Sequence, residues 1–240
     1  MKIRNRVFVK DHLEKGQALT LDQRAAHYLF HVLRCQEGEY ISIFNESSEW
    51  VSKIDKINSK GVQISIEKNI KSADTKQDIT LYFSPIKKNQ TELIIQKCTE
   101  IGVTNFQPVL MERTNFSSFN IDRLSIIAIE AIEQSEQMKI PSIFEPIQFE
   151  EFFSRDQKDH ITLVCSVGEN NDSIKNVLKN HSASNYSLLV GPEGDFSETE
   201  MNNLKNKENY FTVSLGDSVL KSETASIVAA GILKDCLQND

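Results

Sequence analysis

The spacing of apolar positions along this 240-residue chain changes near residue 72. Before it, Val62, Ile64 and Ile66 alternate with Gln63, Ser65 and Glu67, Ile41 and Ile43 flank Ser42, and Glu49 to Ile57 forms a third run. Period-two alternation puts one face of a strand in a core and the other in water. Gly38 and Gly61 punctuate these runs as turns, and several short strands at close spacing predict a small barrel or sandwich. One helical interruption, Asp22 to Arg34, sets Ala26, Leu29, Phe30 and Leu33 on one face and turns Arg24, His27, His31 and Arg34 elsewhere.

The stretch from Lys68 to Asp78 is polar apart from Ile70 and reads as a linker, so the expected division is residues 1–72 and 73–240. Beyond it strands and helices alternate. Ile79 to Ile86 predicts a strand, Gln90 to Ile101 a helix stopped by Gly102, and Phe106 to Met111 a strand. A helix capped near Asn120 or Asp122 carries Leu124, Ile127, Ala128, Ala131, Ile132 and Ser135 on one stripe and should end before Pro141. His160 to Val167 predicts a strand, Asp172 a cap for a short helix to Lys179, and Ser187 to Val190 a strand. A glycine loop follows, then the capping-box pattern of Ser197 and Glu200, a strand from Phe211 to Leu215 and a helix from Thr224 to Leu237. Such alternation predicts an α/β domain with a largely parallel sheet.

Composition adds limits. With 39% hydrophobic and 25% charged residues the chain can bury a sizeable core. MKIRNRVFVK lacks the apolar region of a signal peptide, and Ile227 to Leu233 is far too short to span a membrane, so a cytoplasmic protein is expected. Cys35, Cys98, Cys165 and Cys236 form no CxxC pair, and His27 and His31 have no third ligand nearby, so reduced thiols and no metal are expected. The net charge of −7 argues against a nucleic-acid partner until its distribution is considered. Residues 1–72 carry 12 Lys and Arg against 9 Asp and Glu, a net +3, leaving −10 on the remainder.

Parallel α/β sheets bind ligands beyond the carboxyl ends of their strands, which selects the loops Glu112 to Asn115, Gly191 to Phe196 and Gly216 to Glu223. The chain has no GxxxxGK[ST], and Ser84 to Asn89, the first strand–helix joint of the second part, has no glycine. A glycine loop feeding a helix N-terminus is also a generic anion site, which leaves a phosphate-binding enzyme as one alternative.

The loops VGPEGDFSETE and LGDSVLKSETA, together with VLR at Val32 to Arg34, QKCTEIGV at Gln96 to Val103, ER at Glu112 to Arg113 and EAIEQS at Glu130 to Ser135, resemble the RsmE family. These are bacterial small-subunit ribosomal RNA (uracil-N3)-methyltransferases of the SPOUT class. The resemblance implies a PUA-like N-terminal β-barrel that binds RNA, a SPOUT-type α/β domain with a deep trefoil knot, S-adenosylmethionine as methyl donor, a homodimer, and 16S ribosomal RNA within the small subunit as substrate. Carried over by motif, Val190, Gly191, Glu193 and Gly194 would line one side of the cofactor pocket, and Leu215, Gly216, Val219, Leu220, Ser222 and Thr224 the other. Lys221 would stabilise an oxyanion on the uracil, and Glu223 would accept the N3 proton or orient the group that does. Arg24, His31, Arg34, Lys87, Lys88 and Arg113 would contact RNA. The chain departs from the family's usual residues at Asp195 and Glu136, where relatives have glycine, at Gln137, Ser218 and Lys221, where they have arginine, and at Asp217, where they have proline. A non-catalytic RNA-binding or ribosome-assembly protein is the alternative these departures suggest.

Overall fold

The computed structural model describes residues 5–73, 78–115, 118–155, 159–168 and 171–238, and the chain divides into two units. The first comprises Met1–Thr75 together with Ile132–Ile140. Its strands are β1 (Arg6–Phe8), β2 (Ala18–Thr20), β3 (Tyr40–Phe44), β4 (Ser48–Asn58) and β5 (Gly61–Ser72), in the sheet order β1-β3-β4-β5-β2. The alternation read from the sequence holds: Val62, Ile64 and Ile66 are buried with Ile41, Ile43 and Ile54, while Gln63 and Glu67 face out. Ser42 and Phe44, on the other face of β3, are buried too. There Arg6 lies 3.5 Å over the Phe44 ring and pairs with Glu49 at 3.0 Å, and the Ser42 hydroxyl donates to Glu49.

The linker expectation fails over Lys68 to Ser72. Those residues extend β5, with Ser48 opposite Ser72 and Glu49 opposite Lys71, because ladder pairing outweighs their polar composition. Residues 74–77 of that stretch lie outside the described residues.

Asp22 caps α1 (Gln23–His27) through its carboxylate, which accepts from the Ala25 amide at 2.7 Å. The helix then passes into one π turn, Tyr28–Val32, closed by the Leu33 amide on the Tyr28 carbonyl. The wider turn rotates the apolar face, so Ala25, Ala26 and Leu29 are buried while Phe30 and Leu33 are covered only in part.

Residues Ile132–Ile140 hold to this unit by buried polar contacts. Glu133, 5% exposed, accepts from the Phe8 amide at 2.9 Å and pairs with Arg24 at 2.9 Å, and Arg6 donates to the Ile132 carbonyl. A single cut near residue 72 does not anticipate this segment.

The second unit comprises Lys76–Ala131 and Pro141–Asp240. Its elements are β6 (Ile79–Phe83), α2 (Lys88–Ile101), β7 (Asn105–Leu110), α3 (Ile121–Ser135, whose last residues belong to the first unit), β8 (Ser142–Ile143), β9 (Ile147–Gln148), α4 (Phe149–Ser154), β10 (His160–Cys165), β11 (Asp172–Ser173), α5 (Ile174–Asn180), β12 (Asn185–Val190), α6 (Glu198–Lys205), β13 (Tyr210–Ser214) and α7 (Ser222–Gln238). The sheet runs β11-β13-β10-β12-β6-β7-β8, every pair parallel, with β9 also on β7. Both faces of the central strands are covered. Leu81, Leu163 and Leu188 share one apolar cluster with α2, α5 and α7; Tyr82, Val164 and Leu189 share another with Phe149, Phe152 and Leu204 of α4 and α6. Near-continuous apolar runs in β10 and β12 follow from that double burial.

Boundaries shift where caps decide them. Asn120 caps α3, its side-chain oxygen accepting from the Arg123 amide at 2.9 Å, and Gly102 (φ 113°) ends α2. Ser173, not Asp172, caps α5, and α7 begins at Ser222, two residues earlier than expected. The sequence pattern missed β1, β2, α4 and the two-residue strands β8, β9 and β11, which are too short to carry a period. Among the described residues, no helix is long and apolar enough to cross a membrane and no group of three or more His, Cys, Asp or Glu is placed to hold a metal ion.

Candidate active site

At the carboxyl end of β12, Val190 is buried and its carbonyl accepts from the Ser84 amide at 3.0 Å, which ties the end of β12 to the end of β6. Gly191 follows. A Cβ there would sit 3.0 Å from the Phe196 ring, so only glycine lets the chain turn this close to it. Pro192 is buried and its carbonyl accepts from the Asp195 amide, closing a turn that exposes Glu193, Gly194 and Asp195. Asp195 has φ 60°, and its carboxylate accepts from the Phe196 amide at 2.8 Å. A left-handed backbone there favours glycine, and Asp is among the few other residues that tolerate it. Glu136 (φ 58°) meets the same demand.

Two side chains hold this loop from outside. Arg113 donates to the Gly194 carbonyl at 2.8 Å and the Phe196 carbonyl at 3.4 Å. Glu200, 5% exposed, completes the capping box with Ser197 and also accepts from the Glu112 amide at 2.8 Å. The box takes the Ser197 and Glu200 amides and places the Glu200 carboxylate at the start of α6, which counts against the anion-site alternative.

The second loop follows β13. Gly216 (φ 118°) is exposed, as are Asp217, Ser218 and Val219; Val219 is 79% exposed. Leu215 and Leu220 pack partly on the main core, Lys221 is exposed, Glu223 sits half-buried in the first turn of α7, and Thr224 is exposed. One buried bond joins the two loops: the Ser222 hydroxyl donates to the Gly191 carbonyl at 2.9 Å. Val190, Gly191 and Ser222 are thus brought together, while Val219 stands away from any described side chain that would bury it.

The residues fit an adenosyl ligand. Two glycines leave backbone edges accessible, a Cβ at Gly216 would meet nothing within 4 Å, and Val190, Leu215 and Leu220 supply apolar surface. At the end of the neighbouring β10, burial pushes the Cys165 thiol up to about 12, which keeps it protonated and inert.

A second concavity adjoins the first loop. Pro85, Ile86, Lys87, Arg113, Asn115, Pro192 and Glu193 line a cleft beyond the carboxyl ends of β6, β7 and β12. Sequence reasoning singled out Lys87, Arg113 and Glu193, and placed Asn115 and Pro192 only within candidate loops; a proline two residues beyond each strand, at Pro85 after Phe83 and Pro192 after Val190, was the available signal. Lys88 lies next to it in the first turn of α2, exposed, 4.0 Å from Glu92. Of the cations expected to contact RNA in the first unit, His31 and Arg34 are exposed, and the His31 ring lies 4.8 Å from that of His27. The Arg24 side chain is 29% exposed, and its guanidinium is held by Glu133 and the Phe8 carbonyl.

Comparison with known proteins gives this geometry its class. Residues 73–234 match the RNA methyltransferase domain and residues 21–67 the RNA methyltransferase PUA domain. The chain belongs to the RNA methyltransferases. It is similar to the Ribosomal RNA small subunit methyltransferase E of Rickettsia conorii, 29% identical over 94% of this chain and 93% of that one, and to its Synechocystis namesake, 29% identical over 92% and 74%. A methyltransferase from Legionella pneumophila, solved with its cofactor S-adenosylmethionine, superposes with a TM-score of 0.86 at 25% identity, covering 98% of both chains. The corresponding Neisseria gonorrhoeae structure shares the fold at a TM-score of 0.87 and 24% identity, over 96% and 97%. Within the class, the chain is of the RsmE kind, an S-adenosylmethionine-dependent ribosomal RNA methyltransferase.

Proposed function

We propose that this chain methylates N3 of one uridine in 16S ribosomal RNA within the small subunit, in the cytoplasm, as a homodimer. The observation that carries the reading is the buried Ser222–Gly191 bond, which sets the two loops side by side as walls of one cofactor pocket. S-adenosylmethionine, when bound, supplies an electrophilic methyl group. The protein's part is to exclude water, orient uracil and manage one proton, since N3–H is a weak acid whose proton must leave. Glu193, Gly194, Gly216 and Thr224 offer polar edges to the ligand, Val219 and Leu220 apolar ones. Lys221, directly after the second loop, stabilises the oxyanion that develops on a uracil carbonyl, and Glu223 orients the reacting groups.

The target base must be unpaired or splayed out, because N3 lies on its Watson–Crick edge. We assign RNA contact to His31 and Arg34 in a PUA-like domain of residues 1–72, and to Lys87, Lys88 and Arg113 in a trefoil-knotted domain of residues 73–240. Exposed Val167 and Val219, which follow the paired strands β10 and β13, support a subunit partner that covers them. The test is methyl transfer to small subunits from a strain lacking this enzyme, with mass mapping of the modified base. Transfer to uracil N3 is expected. Binding of S-adenosylmethionine and RNA without transfer would favour the non-catalytic alternative.

A further inference from the structure

The cleft beside the first loop has a lining that matches one nucleobase. Uracil presents on its N3 edge a donor, N3–H, between two acceptors, O2 and O4. The complementary surface needs an acceptor between donors, with apolar faces above and below the ring. The cleft offers Pro85, Ile86 and Pro192 as apolar surface, the Glu193 carboxylate as acceptor, and Lys87, Asn115 and Arg113 as donors.

Two further features favour a working role. Lys87 and Glu193 form no ion pair among the described residues, and Arg113 meets no carboxylate there, its guanidinium donating instead to the Gly194 and Phe196 carbonyls at the rim of the cleft. The cleft also shares Pro192 and Glu193 with the loop that walls the proposed cofactor pocket, so a base seated here lies against that wall.

We propose that this cleft seats the target uracil, that Glu193, rather than Glu223, accepts the N3 proton, and that Lys87 and Asn115, rather than Lys221, face the carbonyls that take up the charge. The inference rests on the uracil-N3 reading above. On docking, the N3–H bond breaks, its proton passes to the Glu193 carboxylate, and the electron pair stays on the ring, delocalised towards O2 and O4 beside Lys87 and Asn115. The N3–CH₃ bond then forms as the methyl–sulfur bond breaks, its electron pair returning to sulfur, and the proton on Glu193 leaves to water. Glu223 lies in the first turn of α7 and is not among the residues that line the cleft, whereas Glu193 is. Cytosine is rejected by the same lining, since its N3 is an acceptor facing Glu193 and its exocyclic amine a donor facing donors.

Glu193→Gln keeps the size of the side chain and removes the base. Measured at saturating S-adenosylmethionine, since Glu193 is also assigned to the cofactor wall, the variant's single-turnover rate of methyl transfer to small subunits should fall by about 100-fold or more. Its rate should also rise about tenfold per pH unit, as hydroxide takes over the proton, where the wild-type rate is flat. A variant rate within about threefold of wild type, or a loss of rate matched by lost cofactor binding, overturns the assignment. Wild-type protein that methylates a position other than uracil N3 overturns the functional reading itself, and this inference with it, and is distinguished by the mapped product.

Discussion

The two loops that wall the proposed cofactor pocket are built in opposite ways. The one after β12 is fixed from several sides: Gly191 turns against the Phe196 ring, Arg113 holds the carbonyls of Gly194 and Phe196, and the buried Glu200 carboxylate ties Ser197 to Glu112. The one after β13 holds itself by local bonds between Ser214 and Gly216 and leaves residues 216–219 in solvent, with Leu220 packed partly on the core and Ser222 fastening its far end. One wall is braced by side chains, and the other stands largely in solvent. A ligand that meets a rigid wall first loses less entropy on binding, and the loose wall lets a bulky donor enter and its product leave.

The largest effect tests the rigid wall. Glu200→Ala removes a carboxylate that accepts two backbone amides, and leaves the Ser197 amide unpaired in a buried place and the Glu112 amide in a partly buried one. Urea denaturation should show a loss of about 3 kcal/mol, and S-adenosylmethionine affinity should fall with it. Unchanged affinity would mean the loop is shaped by something other than this tie. Gly191→Ala is next. Its methyl must push the Phe196 ring, at a cost of about 2 kcal/mol in stability, with at least tenfold weaker cofactor binding measured by calorimetry.

How much of this was legible in the sequence follows from where each interaction is local. The Ser197 and Glu200 box was readable because cap and carboxylate are three residues apart. The two walls were readable because each is a glycine directly after an apolar run. The tie from Glu200 to Glu112 spans 88 positions, and the Glu133 clamp on Arg24 spans 109, so neither leaves a local signature. For that reason the ion pair of Arg24 went unseen, and residues Ile132–Ile140 were not seen to belong with the first unit. The strand at Lys68 to Ser72 was hidden for another reason: its partners, not its composition, make it a strand. The uracil cleft is assembled from three loops, and only two of them contain a motif.

The loose wall should be the more forgiving. Gly216→Ala places a Cβ in open space but forces a side chain onto φ 118°, so it costs about 1 kcal/mol or less once the free loop relaxes. Thermal unfolding should barely move, and cofactor affinity should drop less than for Gly191→Ala. A larger loss at Gly216 than at Gly191 would reverse the ranking of the two walls.

The other end of β12 provides the smallest effect and the control. There the His160 ring bonds the Ser187 hydroxyl at 2.8 Å, Ser187 bonds Thr162, and burial holds the imidazole below its usual pKa of 6.5. Because the folded state binds this proton less readily than the unfolded chain, stability is full above pH 6.5, falls as the pH drops below it, and levels off beneath the folded-state pKa. His160→Gln keeps a polar partner for Ser187 and should remove this part of the slope, read as the difference between the two proteins' denaturation midpoints from pH 7.5 down to pH 5. S-adenosylmethionine affinity should respond equally to pH in both proteins, since Ser187 lies at the amino half of a strand whose carboxyl end makes the rigid wall. If His160→Gln alters the pH dependence of cofactor binding, that wall is not independent of the strand that carries it, and its rigidity must be sought in the whole of β12 rather than in Gly191, Arg113 and Glu200.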